Sequence, residues 1–357
     1  MRIAKSIRAL EAYVPGEQPK SKSVVKLNTN ENPYPPSPAC AKVLASFDLD
    51  RLRRYPDPVF NDLRTALARL YRTDVRRIFV GNGSDEVLSV AARAFVEDDE
   101  AIGSLNPSYS LYRTLADIRG VAWRGADVDF ETADEAAVLR AARATAKERG
   151  VSLFLWTNPN APTGTRVSGE TLAAFAKGFR GVLLVDEAYG EFAPENAMSL
   201  ATDAANENVL VMRTFSKSYS LAGLRVGYCV GPEELIEAMY KVKDSYNVDA
   251  LAQAVALAAV RDQRHLKANV RKIVAEREAL AAELAGRGWD VLPSSSNFLF
   301  ARPAGMTAAK LFAALREANV FVRYFPGPRT GSRLRITVGT PEQDRRLLKA
   351  IDRIVGG

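Results

Sequence analysis

Lys217 stands between two serines in the stretch RTFSKSYSLAGLRVGY, residues 213–228, with Arg225 eight positions further on. A lysine taken alone is most simply a solvated surface charge. Its amine can also be a covalent nucleophile, which needs a shielded site and a nearby cation or aldehyde partner. The neighbours must decide. Asp186, in VLLVDEAY, follows four apolar residues on what reads as a buried strand, and a lone carboxylate there is costly unless it faces a cation. GNGSDE, residues 81–86, places glycines and hydroxyl or carboxylate side chains where a helix begins. Unpaired N–H groups at such an end hold a phosphate well, although Ser84 or Asp85 would serve equally as a plain helix cap.

Taken together, these residues suit a phosphorylated pyridine aldehyde. A protonated pyridine nitrogen would be the cation for Asp186, which is how pyridoxal phosphate is tuned. Asn158 and Tyr189 would donate to the ring's phenolic oxygen, and Arg225 with Ser216 would help neutralise the phosphate. With a single histidine in the chain, His265, histidine-based metal sites and Ser-His-Asp machinery are hard to build. No metal is expected.

The elements that would position these groups are legible as an alternation. RRIFVGNGSDEVLSVAARAFV reads as strand, glycine turn and a helix opened by Ser84 and Asp85; EAIGSLNPSYSLYRTLADIRG repeats the plan. VSLFLWTNPNAPTG, RGVLLVDEAYGEF and NVLVMRTFSKS add three more buried strands. Strands apolar throughout and alternating with helices predict a parallel sheet covered on both faces, with ligands at the carboxyl ends of its strands. Gly81, Asn158, Asp186 and Lys217 all fall just past such ends. After GPEEL a long amphipathic helical region is expected from about Pro232 to Arg287, followed by strand, helix, strand, strand. The expected division is an arm over 1–30 joining the small domain, a large domain over 31–245 and a small α/β domain over 246–357. KLNTNENPYPPSP is too rich in proline for regular structure and reads as an irregular part of the N-terminal region.

Composition narrows the class. With 47% hydrophobic and 25% charged residues the chain reads as an ordinary soluble protein, and no apolar run approaches the roughly 20 residues that span a bilayer. The N-terminal stretch lacks a signal-peptide pattern, and two cysteines, Cys40 and Cys229, cannot make a disulfide framework. A cytoplasmic address is expected. The net charge of +7 is spread among acids, as in RDQRHLKANVRKIVAEREAL, which is a solvated helix face and not a nucleic-acid stripe. Neither nucleic acid nor membrane is expected as a partner.

NPNAPTG, DEAY, SKSYSLAGLRVGY and LRITVGT, in this order, resemble the fold-type I aminotransferases that use pyridoxal phosphate. AYVPGEQP, LNTNENPY, RYPDP, GNGSDE, YNVDALAQ, SNFLF and FVRYF are similar to the histidinol-phosphate aminotransferase family among them. The resemblance covers nearly the whole chain. It implies an α/β fold with a large, mostly parallel cofactor-binding sheet and a smaller C-terminal α/β domain, working as a homodimer on a small amino donor and a 2-oxo acid acceptor. Lys217 would bond covalently to the cofactor aldehyde and shuttle the substrate proton, Asp186 would hold the pyridine proton, and Asn158 and Tyr189 would contact the phenolic oxygen. Tyr109 would stack on the ring. Gly83, Ser84, Asp85, Thr214, Ser216 and Arg225 would surround the phosphate, with Tyr55 reaching it from the other subunit. Arg335, Arg323 and Tyr13, with Asn158, would hold the substrate. Ala161 stands where many members carry a second asparagine, and with the preceding Asn158 and the following Pro162, Thr163 and Gly164 intact, unchanged catalysis is expected. Aromatic amino-acid aminotransferases, threonine-phosphate decarboxylases and a non-catalytic regulator on the same fold remain open at this point.

Overall fold

The computed structural model describes residues 3, 5–8, 10, 16–19, 23–148 and 150–356. The strands in chain order are β1 (Val25–Lys26), β2 (Ile78–Gly81), β3 (Ala101–Asn106), β4 (Ala122–Asp127), β5 (Val151–Thr157), β6 (Val182–Asp186), β7 (Val209–Thr214) and β8 (Gly227–Val230). They are followed by β9 (Asp290–Val291), β10 (Phe298–Arg302), β11 (Val320–Phe321), β12 (Arg323–Tyr324) and β13 (Leu334–Thr337). A seven-stranded sheet has the order β2-β8-β7-β6-β5-β3-β4. β3 to β7 pair in parallel, and only β8 runs against its neighbours, β2 and β7.

Alternation along the strands explains why both faces are covered. Leu183, Val185, Val209 and Val211 point into one core, whereas Leu184, Leu210 and Met212 point into another on the opposite face. The fully apolar runs read from the sequence are therefore strands buried on both sides. Two strands carry no such run and were not expected. β4, AWRGAD, lies at the sheet edge with most of its side chains exposed or half-exposed, and β8 is only four residues long.

The expected long helical region is three helices, Glu233–Val242, Ala250–Arg261 and Gln263–Gly286. Asp249 and Asp262 interrupt it because each carboxylate accepts the backbone N–H three residues on, capping a new helix. Val255, Ala256, Ala259 and Leu266 pack into the core of the seven-stranded sheet, so the chain stays with that sheet beyond position 245. A separate antiparallel sheet, β12-β13-β10-β9, packs Leu299, Ile336 and the C-terminal helix Pro341–Gly356 around a third core. Val25 and Leu27 of the N-terminal segment enter that same core, and β1 pairs with β11. Among the described residues no helix is long and apolar enough to cross a membrane.

Candidate active site

The carboxyl ends of β3, β5, β6 and β7 open into a cavity of about 370 Å³, roofed by β12, β13 and the N-terminal segment. Ser84, Asp85, Tyr109, Asp186, Tyr189, Thr214, Ser216, Lys217, Arg225, Arg323 and Arg335 all line it. Residues spread over some 250 positions of sequence thus converge, as parallel strand ends require.

Asp186 ends β6 and is buried. Desolvation pushes its carboxyl up to about 6, while a hydrogen bond from the Tyr112 hydroxyl at 2.7 Å pulls the other way. The Ala188 N–H donates to its second oxygen at 3.0 Å. Tyr112 is itself buried and meets Thr157 at 2.5 Å. The carboxylate is therefore aimed from behind. Tyr112 is not among the expected site residues, because nothing in the local pattern distinguishes a core aromatic from one whose hydroxyl serves a carboxylate. Tyr109 packs edge-on against Tyr112 and its hydroxyl reaches Asp85 at 3.3 Å.

Burial pushes the Lys217 amine down to about 8, and the nearby Arg335 guanidinium adds to that fall. Its Nζ donates to the Thr29 carbonyl at 3.0 Å. The segment Asn28–Asn32 runs along the whole site. The Asn28 carbonyl accepts from Arg335 at 3.1 Å, the Asn30 amide donates to the Tyr189 hydroxyl at 2.8 Å, and Asn32 donates to the Lys217 carbonyl at 3.1 Å. Reading this stretch as an irregular arm was correct for its backbone and missed its use. The recurrence of asparagine in NTNEN was the available signal, since each amide can both donate and accept.

At the far end of the cavity, Gly83 occupies the cap position of the helix Ser84–Phe95 at φ +86°, so neither Ser84 nor Asp85 is the cap. A side chain at Gly83 would come within 2.7 Å of Arg225, and one at Gly227 within 2.5 Å of the Ser84 N–H. Two glycines thus let a guanidinium and a helix end close on one small space. Arg225 meets the Ser216 hydroxyl at 3.4 Å and Asp85 at 3.3 Å, and Thr214 donates to Ser216 at 2.9 Å. Helix end, hydroxyls and guanidinium suit a phosphate group.

Two expected site residues stand elsewhere, and a third lies outside the described residues. Asn158 does not line the cavity. Both ends of its amide bond the Val167 backbone, donating at 3.1 Å and accepting at 2.9 Å, which holds the loop after β5 and leaves Ala161 on the cavity wall. The contact expected of Asn158 with a phenolic oxygen is corrected accordingly. Tyr55 is 79% exposed and stacks on Tyr246 at 4.4 Å, away from the cavity of its own chain. Tyr13 lies outside the described residues.

Pyridoxal phosphate fits the donor set. A buried carboxylate, a depressed amine, a phenol and a glycine-lined anion cradle surround one cavity of suitable size. The model of the aminotransferases of class I and II matches residues 22–351. Histidinol-phosphate aminotransferase 1 of Bradyrhizobium diazoefficiens is 44% identical over 353 residues, covering 98% of both chains. Its namesake in Nostoc sp. is 43% identical over 347 residues, 97% of this chain and 96% of that one. The crystal structure of histidinol-phosphate aminotransferase from Sinorhizobium meliloti, in complex with pyridoxal-5'-phosphate, superimposes with a TM-score of 0.89 at 25% identity, covering 99% of this chain and 98% of that one. By sequence along nearly its whole length, and by fold, the chain belongs to the class I and II aminotransferases, in their histidinol-phosphate aminotransferase family.

Proposed function

We propose that this chain transfers the amino group of L-histidinol phosphate to 2-oxoglutarate, giving imidazole acetol phosphate and glutamate, with pyridoxal phosphate as cofactor. The observation that carries this reading is the pair Arg323 and Arg335. They are direct cross-strand partners in β12 and β13, and both line the cavity that holds Lys217. Two guanidinium groups facing one cavity give it a positive wall that attracts anionic substrates. One substrate brings a phosphate and no carboxylate, and the other brings two carboxylates. A guanidinium binds either through two parallel hydrogen bonds.

When bound, pyridoxal phosphate supplies the electron sink for the reacting carbon. Lys217 would provide the amine for the aldehyde, and with its pKa near 8 it could take and return a proton at the substrate carbon close to neutral pH. Asp186, fixed by Tyr112, would hold the proton on the ring nitrogen. Tyr189 would donate to the phenolic oxygen, Tyr109 would pack against the ring, and the cradle of Gly83, Ser84, Thr214, Ser216 and Arg225 would hold the phosphate. Asp85 ties Arg225 to Tyr109. Exposed Tyr55, preceded by exposed Leu49 and Leu52, supports a homodimer in which it enters the partner's site. The enzyme would work in the cytoplasm.

Specificity constants measured side by side, with 2-oxoglutarate as acceptor, test the substrate. Histidinol phosphate should exceed phenylalanine and tyrosine clearly. A preference for either aromatic amino acid, or release of carbon dioxide from threonine phosphate, would overturn the assignment.

A further inference from the structure

Tyr189 is held by a residue that none of the expected site residues includes. Asn30 is 1% exposed and sits in the left-handed region at φ +54°, a conformation that asparagine tolerates better than most side chains. Its Nδ2 lies 2.8 Å from the Tyr189 hydroxyl, and its Oδ1 lies 3.0 Å from the Thr337 hydroxyl. Asparagine oxygen and nitrogen are told apart by their partners. The Asn30 backbone N–H donates to Thr337 Oγ1 at 3.0 Å, and the Thr337 hydroxyl donates to Asn30 Oδ1. The amide NH₂ faces Tyr189, whose oxygen accepts. A phenol that accepts from Asn30 keeps its own proton for a bond in another direction, and Tyr189 lines the cavity.

The arrangement is built from four separate parts of the chain. Thr337 ends β13, two residues beyond Arg335. The fully buried Asn297 donates to the Asn30 carbonyl at 3.0 Å, which clamps the left-handed turn from the other side. Strain of this kind persists only where the surroundings over-determine it, and it gathers at functional positions.

We propose that Asn30 is a positioning residue that fixes the polarity of the Tyr189 hydroxyl, so that Tyr189 donates its proton into the cavity toward the cofactor's phenolic oxygen. This rests on the reading of Tyr189 given above. A hydrogen bond donated to an oxygen favours that oxygen's ionised form. Losing it raises the pH at which the bound cofactor loses its proton, and that midpoint is read from visible absorbance without turnover. In Asn30→Asp the side chain keeps its shape and its tolerance of the left-handed backbone, but a carboxylate only accepts. The Tyr189 proton would turn toward it. Asn30→Gly also tolerates the turn and removes the donor without adding a charge.

The test is an absorbance titration of the reconstituted protein carrying Asn30→Asp, Asn30→Gly, Tyr189→Phe and each Asn30 change combined with Tyr189→Phe. Tyr189→Phe should raise the midpoint by about one pH unit, and Asn30→Asp should approach that shift, with Asn30→Gly moving less. In the Tyr189→Phe background neither Asn30 change should move the midpoint further. Equal shifts in both backgrounds would overturn the proposal, since Asn30 would then act by charge or shape and not through Tyr189. A shift from Tyr189→Phe with both Asn30 variants at the native midpoint would overturn the role of Asn30 alone. No shift from Tyr189→Phe would overturn the Tyr189 reading together with it.

Discussion

The floor and the rim of the site are built differently. Beneath the cavity, Arg213 in β7 makes two bonds to Glu187, at 2.8 and 3.0 Å, and reaches Glu191 at 3.3 Å, with all three side chains less than a tenth exposed. Glu187 directly follows Asp186, and Arg213 lies four residues before Lys217. Around the rim, outside the residues that line the cavity, the same kinds of charges stand in water. Arg329 meets Asp127 at 2.8 Å and Arg302 meets Glu131 at 2.6 Å, with side chains from a third to more than half exposed. Its strands are short, β12 being two residues long. A charge pair in the floor cannot lose one member without stranding the other, whereas solvent replaces a lost partner at the rim. Chemistry that needs fixed geometry therefore suits the floor, and on the proposed function recognition of two differently shaped anions falls to the rim.

The comparison breaks most visibly at Lys217. Lys217→Ala should lower turnover with any amino donor by at least about 10⁴-fold, because nucleophile and proton carrier go together. Near-normal turnover in the purified variant would remove Lys217 from the chemistry. Next, Glu187→Ala should cost about 3–5 kcal/mol of stability by leaving Arg213 buried without its main partner. Urea unfolding measures this, and a loss below about 1 kcal/mol would mean that the floor is no more demanding than the rim.

Removing a rim arginine should act on recognition. Arg323→Ala and Arg335→Ala are each expected to lower kcat/KM for histidinol phosphate by about tenfold or more, with cofactor affinity nearly unchanged. Arg335 also touches the floor electrostatically. The folded Lys217 amine has its pKa depressed to about 8 from 10.5, so it is protonated below that value and becomes a free nucleophile above it. The rate at which cofactor-free protein takes up pyridoxal phosphate should thus rise through a midpoint near 8. Arg335→Ala removes a cation that favours the neutral amine, so the midpoint should move upward. A midpoint that stays in place or falls would contradict the coupling. The smallest effect is expected at the outer rim, where Arg329→Ala should change stability by less than about 1 kcal/mol. A thermal melt showing a larger loss would place that pair with the floor.

Much of the floor was legible because burial leaves a local mark. Apolar runs such as VLLV and NVLVM announced the strands, and the polar residue just past each run announced the site. The rim left weaker marks, since an arginine on a short strand looks like any surface arginine until its partner strand is known. Asn158 was misassigned for a related reason. Its position after β5 is local information, but the Val167 backbone that takes up its amide is not.

Residue order by itself determined the strand and helix alternation and the covering of the sheet on both faces, and it set Asp186 and Lys217 just past apolar runs, whereas the roles expected of Tyr189 and Arg225 came with the family resemblance. The alternation, the covering and those two positions follow from periodicity, or from a polar group set at the end of an apolar run. Only the tertiary structure decided which hydroxyl aims Asp186, that Gly83 caps the helix to admit Arg225, and that Asn30 meets Tyr189 across 159 positions. Those contacts depend on how strand ends and a returning N-terminal segment meet in space. A hydrogen bond depends on distance and direction, and sequence separation carries neither.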